Sequence, residues 1–150
     1  EEGLLKQPGF EKVEVVKVKS DLVRKDGASD GTFMKFDVKD LDMVLTFRNL
    51  HNFAEGGRKA MNKATFDSLK PGGYYGVIDH TRRHNEPANS ENGRRMDPVR
   101  MIKEIESAGF EFVNFTDLHY QPTDKLELEL RNEGVAGKTD RFTLLFKKPK

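Results

Sequence analysis

Asp42-Met43-Val44-Leu45-Thr46-Phe47-Arg48-Asn49-Leu50-His51-Asn52 passes from an apolar run straight into a polar tip that carries a histidine. An apolar run without alternation, Met43–Phe47, predicts a strand buried on both faces. A second stretch does the same. Tyr74 to Asp79 reads as a strand, and His80-Thr81-Arg82-Arg83-His84 follows it. Between them, residues 57–69 place Ala60, Met61, Ala64, Ser68 and Leu69 on one side at helical spacing. Lys70-Pro71-Gly72-Gly73 stops that helix, because Pro cannot continue it and Gly accepts a left-handed turn. In open α/β sheets ligands bind at the carboxyl ends of the parallel strands. If the two strands are parallel neighbours, their polar tips share one rim.

Working outward, Val13–Val18 is β-branched with partial alternation and reads as a strand, 13–18. Asp97-Pro98 starts a helix over 98–108, with Asp as cap and Pro at the first helical position. Its apolar face is Met101, Ile102, Ile105 and Ala108. Residues 110–118 and 142–146 read as further strands. Leu126, Leu128 and Leu130 alternate with Glu127 and Glu129, which suits a short half-exposed strand. Strands alternate with helices in the middle and the last strands have no helix between them. That predicts an α/β domain with a mostly parallel sheet and an antiparallel C-terminal strand.

The composition narrows the function. The chain has 150 residues, 26 Lys+Arg against 25 Asp+Glu, and a formal net charge of +1. There is no clustered basic excess of the sort nucleic acid or a membrane surface attracts, so neither is expected as a partner. There is no cysteine, hence no disulfide framework and no thiolate chemistry. The longest apolar run is far short of the roughly 20 residues of a membrane helix. The start at Glu1-Glu2 reads as a processed or trimmed chain, and the compartment is not legible. His51, Asp79, His80 and His84 include metal-ligand types, but their spacing matches no standard zinc pattern, so no metal is expected. Neither a G-x-G-x-x-G after a strand nor a Walker sequence is present.

Four blocks occur in a familiar order: Asp42–Asn52, Leu69-Lys70-Pro71-Gly72-Gly73 running on to Gly76-Val77-Ile78-Asp79-His80, Ala108-Gly109-Phe110, and Thr139–Pro149. Together they resemble the class I S-adenosylmethionine-dependent methyltransferases, and more narrowly a bacterial group known as predicted methyltransferases. The resemblance covers roughly residues 8–150. It implies a truncated Rossmann-like methyltransferase sheet in one partial domain, with Val13–Val18 as the third strand of that fold. A complete member has, upstream, a strand ending in a glycine-rich cofactor loop and a second strand ending in an acid for the ribose. Neither is in this sequence.

The resemblance also implies roles. Ser20 and Asp21 would flank the adenine. Arg48, Asn49 and His51 would line the methionine end and the substrate mouth. Asp79 and His80 would face the acceptor, with Asn52, Arg82 and Arg83 on the substrate side. His80 or His51 is the natural general base, since an imidazole titrates near neutral pH. Asp79 could orient that imidazole, a geometry adjacent residues rarely achieve. Arg82, Arg83, Arg94 and Arg95 could recognise an anionic acceptor, or form a solvated loop. The expected function is methyl transfer to a small-molecule acceptor. The cofactor of the complete family is S-adenosylmethionine, and this chain alone is expected to bind it weakly or not at all and to be inactive.

Two other readings compete. One is a non-catalytic methyltransferase-like module for dimerisation or ligand binding. The other is a different Rossmann-like nucleotide enzyme such as a reductase, the weakest of the three because no dinucleotide loop exists. In the complete fold the neighbour of Met43–Phe47 on one side belongs to the missing portion. An apolar strand at an open edge is an aggregation hazard. Either Val13–Val18 moves beside it, or two copies pair through it or exchange N-terminal strands. A homodimer is the favoured expectation.

Overall fold

The computed structural model describes residues 2–150. In chain order the elements are α1 (Glu2–Leu5), β1 (Val18–Ser20), β2 (Val23–Lys25), β3 (Ala28–Asp30), β4 (Met34–Phe36) and β5 (Leu41–Phe47). A 3-10 turn at Leu50–Asn52 leads to α2 (Glu55–Ser68), β6 (Leu69–His80), α3 (Pro98–Glu106), β7 (Glu111–Thr116) and β8 (Arg141–Lys147). The main sheet has the order β5-β6-β8-β7. β5 and β6 are parallel neighbours, with Thr46 opposite Val77. β8 lies antiparallel between β6 and β7. Three strands therefore run one way and the C-terminal strand runs against them.

Alternation assigns the two faces of this sheet. Tyr75, Val77, Leu144 and Phe146 point to the side covered by α2 and α3, where they meet Met61, Met101 and Ile105 in one core. Phe110, just after the α3 turn, stacks edge-on to Phe66 of α2 at 5.1 Å between ring centroids. The helix start at Asp97-Pro98 forms as the sequence predicts. The Asp97 carboxylate accepts from the Val99 and Arg100 amides at 2.9 and 3.4 Å. The opposite face of β5 is bare. Met43, Leu45 and Phe47 are 47%, 51% and 59% exposed, and β5 is an edge strand.

The N-terminal expectation is corrected. Residues 13–17 form no strand and are exposed; Val18–Ser20 pairs instead with Met34–Phe36. Val13–Val18 thus neither joins the main sheet nor covers β5. Its β-branched residues alternate with charged ones, and such a segment orders only where a partner edge shields one of its faces. The β2–β3 ladder packs over the start of α2. There the Asp30 carboxylate accepts from the Gly57 amide at 3.0 Å. A Cβ at Gly57 would lie 2.5 Å from the Ser29 carbonyl oxygen, so only glycine permits this approach. The Leu126–Leu130 strand is a second correction. That region is a series of turns, with Leu126 at φ 63°, held by side chains of the preceding loop rather than by a ladder.

Candidate functional site

The two polar tips do share a rim. The Arg48 amide donates to the Ile78 carbonyl at 2.8 Å, extending the β5–β6 register to the strand ends. Arg48 then takes a left-handed backbone, φ 50°, which turns the chain sharply out of the sheet. A non-glycine residue there carries strain that surrounding contacts must hold. Asn49 and Asn52 bracket the short turn that follows, with the Asn52 amide donating to the Asn49 carbonyl. Leu50 anchors the turn in the core, and His51 is thereby set beside β6.

Asp79 organises this rim. Its residue is fully buried. It accepts from the His51 amide at 3.1 Å, the His80 amide at 2.8 Å and His51 Nδ1 at 2.7 Å. A carboxylate can only accept, so Nδ1 carries a ring proton, and in the neutral imidazole Nε2 then keeps the lone pair. The pairing is thus Asp79 with His51, across two strands, rather than with its chain neighbour His80. His80 stands edge-on to His51, with ring centroids 5.4 Å apart, and its Nδ1 is 2.7 Å from Thr139 Oγ1. Burial pushes the His80 pKa down to about 4; the Asp79 charge opposes this and His51 adds to it. His80 is therefore a weak base, and the imidazole oriented by a carboxylate is His51.

His51, Asp79 and His80 each offer a ligand atom within 4.8 Å of the others, a proximity invisible in their spacing along the chain. Two imidazoles and a carboxylate are metal-ligand types. Here the carboxylate already serves three hydrogen-bond donors.

The remaining expected residues divide. Arg82 is buried and lines a cavity of about 250 Å³ whose wall also holds His51, Arg58, Arg100, Asp97 and Glu104. Arg83 points elsewhere: it is exposed and pairs with Glu86 and Glu127. Asp21, expected at the adenine, instead accepts from the Thr32 and Phe33 amides at 3.0 and 2.8 Å and closes its own loop. Arg94 pairs with Glu129, and Arg95 is locked to Asp124. Arg58 and Arg100 were not legible as site residues. They sit on two helices, and only the packing of α2 beside α3 brings them to His51.

No protein-family model matches the chain, and a comparison with curated proteins finds no match. Solved structures do match. An S-adenosylmethionine-dependent methyltransferase from Aquifex aeolicus superposes with a TM-score of 0.57 at 12% identity, over 97% of this chain and 60% of its own. The fold is that of the class I methyltransferases. The [4+2]-cyclase SpnF superposes with a TM-score of 0.55 at 17% identity, over 75% of this chain and 51% of its own. Human N-acetylserotonin methyltransferase, solved with its methyl donor, gives 0.52 at 18% identity, over 75% and 31%. This chain therefore spans less than two thirds of each. A cyclase among the neighbours shows that the fold does not fix the reaction.

Proposed function

We propose that the chain forms the acceptor side of an S-adenosylmethionine-dependent methyltransferase acting on a small molecule. The observation that carries this reading is the Asp79–His51 pair at the carboxyl ends of β5 and β6, beside a cavity large enough for a small acceptor. Asp79 fixes the ring orientation and its tautomer. His51 Nε2 is then available to take a proton from an acceptor hydroxyl, carboxyl or amine as that group becomes the nucleophile. His80 and Thr139 wall the rim.

The donor would supply a methyl group on a cationic sulfonium. The residues at this rim do not fit it. Arg58, Arg82 and Arg100 put positive charge in the same cavity as His51. Asp21 is engaged in its own loop. Among the described residues no glycine-rich turn follows β5 or β6. Calorimetric titration with S-adenosylmethionine and its demethylated product is expected to give no binding tighter than millimolar. A submicromolar affinity would overturn this account of the donor side.

A second reading, an assembly module, is favoured by one observation, the exposed apolar face and unpaired rim of β5. We propose that a second copy covers it. A two-fold axis can pair one open edge with the same edge of another copy, satisfying both rows of backbone groups at once. Light scattering at micromolar concentration is expected to report a dimer that Leu45→Lys converts to monomer. A wild-type monomer at that concentration would remove this reading and leave the catalytic one intact.

A further inference from the structure

We infer that the cavity beside His51 is an anion site, and that the acceptor held there carries a carboxylate or phosphate group; this names the substrate class of the site proposed above and rests on that reading. The decisive residue is Arg82. It is 8% exposed, and its Nε is buried without a hydrogen-bond partner among the described residues. Its backbone is fixed, the amide donating to the Met96 carbonyl at 2.8 Å. Arg82 is thus anchored in the cavity wall where β6 crosses the loop, and among the described residues no carboxylate pairs with its guanidinium, although Asp97 and Glu86 act on it from a distance. Buried arginines are ordinarily paired, because an unpaired buried ion is costly.

The carboxylates that line the cavity are engaged by other groups, and Glu86, outside the lining, pulls on Arg82 without a hydrogen bond to it among the described residues, one of its oxygens being buried and unpartnered. Glu104 takes a two-pronged contact from Arg58, at 2.7 and 2.8 Å. Asp97 caps α3 and accepts from the Asn85 amide at 2.9 Å and from His84. Arg100, exposed at the mouth on α3, forms no ion pair among the described residues and adds a second positive charge. Burial lowers the Arg82 pKa most; the Asp97 and Glu86 charges pull it back up, and the Arg100 and Arg58 charges lower it further. An entering anion would offset the mutual repulsion of these positive charges. A planar guanidinium matches carboxylate and phosphate oxygens in a two-pronged geometry that a lysine cannot copy. His51 on the same wall would then face whatever nucleophile that anion anchors.

The test needs no methyl donor. The full chain is titrated with inorganic phosphate and, separately, with benzoate, at constant ionic strength in chloride, and amide shifts are followed by NMR. Saturable binding of either anion with shifts centred on Arg82, Arg100 and His51 is expected, and the tighter of the two identifies the head group. Arg82→Gln and Arg100→Gln should each weaken it by about tenfold or more. Arg83→Gln, outside the cavity, should leave it unchanged. Arg100 is exposed, so its variant tests the site even if Arg82→Gln folds poorly. The inference is overturned if neither anion saturates, or if Arg100→Gln binds as the wild type does. Failure here with the His51 ring still held by Asp79 removes the anion site and spares the proposed base.

Discussion

Arg95→Ala is expected to destabilise the protein by about 3–5 kcal/mol, the range for breaking one side of a buried ion pair. Such a loss is a large share of the roughly 5–15 kcal/mol that holds a domain folded. Arg95 is fully buried and Asp124 nearly so. The guanidinium donates to both Asp124 oxygens at 2.8 and 3.0 Å, to the Leu128 carbonyl at 2.8 Å and to the Thr81 carbonyl at 3.1 Å. Asp124 in turn accepts from the Asp140 amide at 2.7 Å and the Leu126 amide at 2.9 Å. One pair therefore joins the loop after β6, the segment before β8 and the turns between. Removing the arginine strands a buried carboxylate and two carbonyls together. Arg95→Lys keeps the charge but loses the fork, and should recover only part of the loss. Urea denaturation of the three proteins measures this. A loss under about 1 kcal/mol for Arg95→Ala would mean that the pair is solvated and the loop held otherwise.

The second large effect belongs to Asp79. Asp79→Ala leaves the His51 amide, the His51 ring N–H and the His80 amide without the acceptor that a fully buried residue supplies. At about 1–3 kcal/mol for each unsatisfied buried donor, the expected cost is about 3 kcal/mol or more. Asp79→Asn is subtler. The amide group keeps the volume, but one oxygen can no longer serve every donor. Where its NH2 faces His51, the imidazole must present Nδ1 as an acceptor, and the proton moves to Nε2. The ring would then be unable to accept a proton from a substrate in the cavity. Urea denaturation gives the stability of both variants, and the ring-nitrogen spectrum gives the tautomer. An Asp79→Ala variant as stable as the wild type would contradict the geometry.

The sequence made the rim legible because its signal is local. Two apolar strands each ended in polar residues, and parallel pairing places such ends side by side. Pairing between Asp79 and His51 was less visible. Asp79 does hold the His80 backbone amide, but its ring partner is His51, which the turn after β5 brings beside the end of β6 and which no spacing along the chain reveals. Val13–Val18 misled because β propensity reports a fit to a shielded surface, and no edge receives that segment here. Leu126–Leu130 misled likewise, since its conformation is fixed by Arg95, thirty-odd residues earlier in the chain. Among the loop arginines, the sequence could not separate Arg95, paired with Asp124, from Arg82, although both line the cavity. Residue type is the same, and only the presence or absence of a buried carboxylate partner distinguishes them.

The central claim is that Asp79 holds the His51 ring through Nδ1 and leaves Nε2 as the bare nitrogen of the neutral ring. A long-range proton–nitrogen correlation spectrum of the histidine rings near pH 7.5 reads this directly. The account predicts that His51 Nδ1 bears its proton in a slowly exchanging hydrogen bond and that Nε2 accepts, with Asp79→Asn moving the proton to Nε2. A wild-type His51 protonated only on Nε2, or one whose spectrum is indifferent to Asp79, would contradict it.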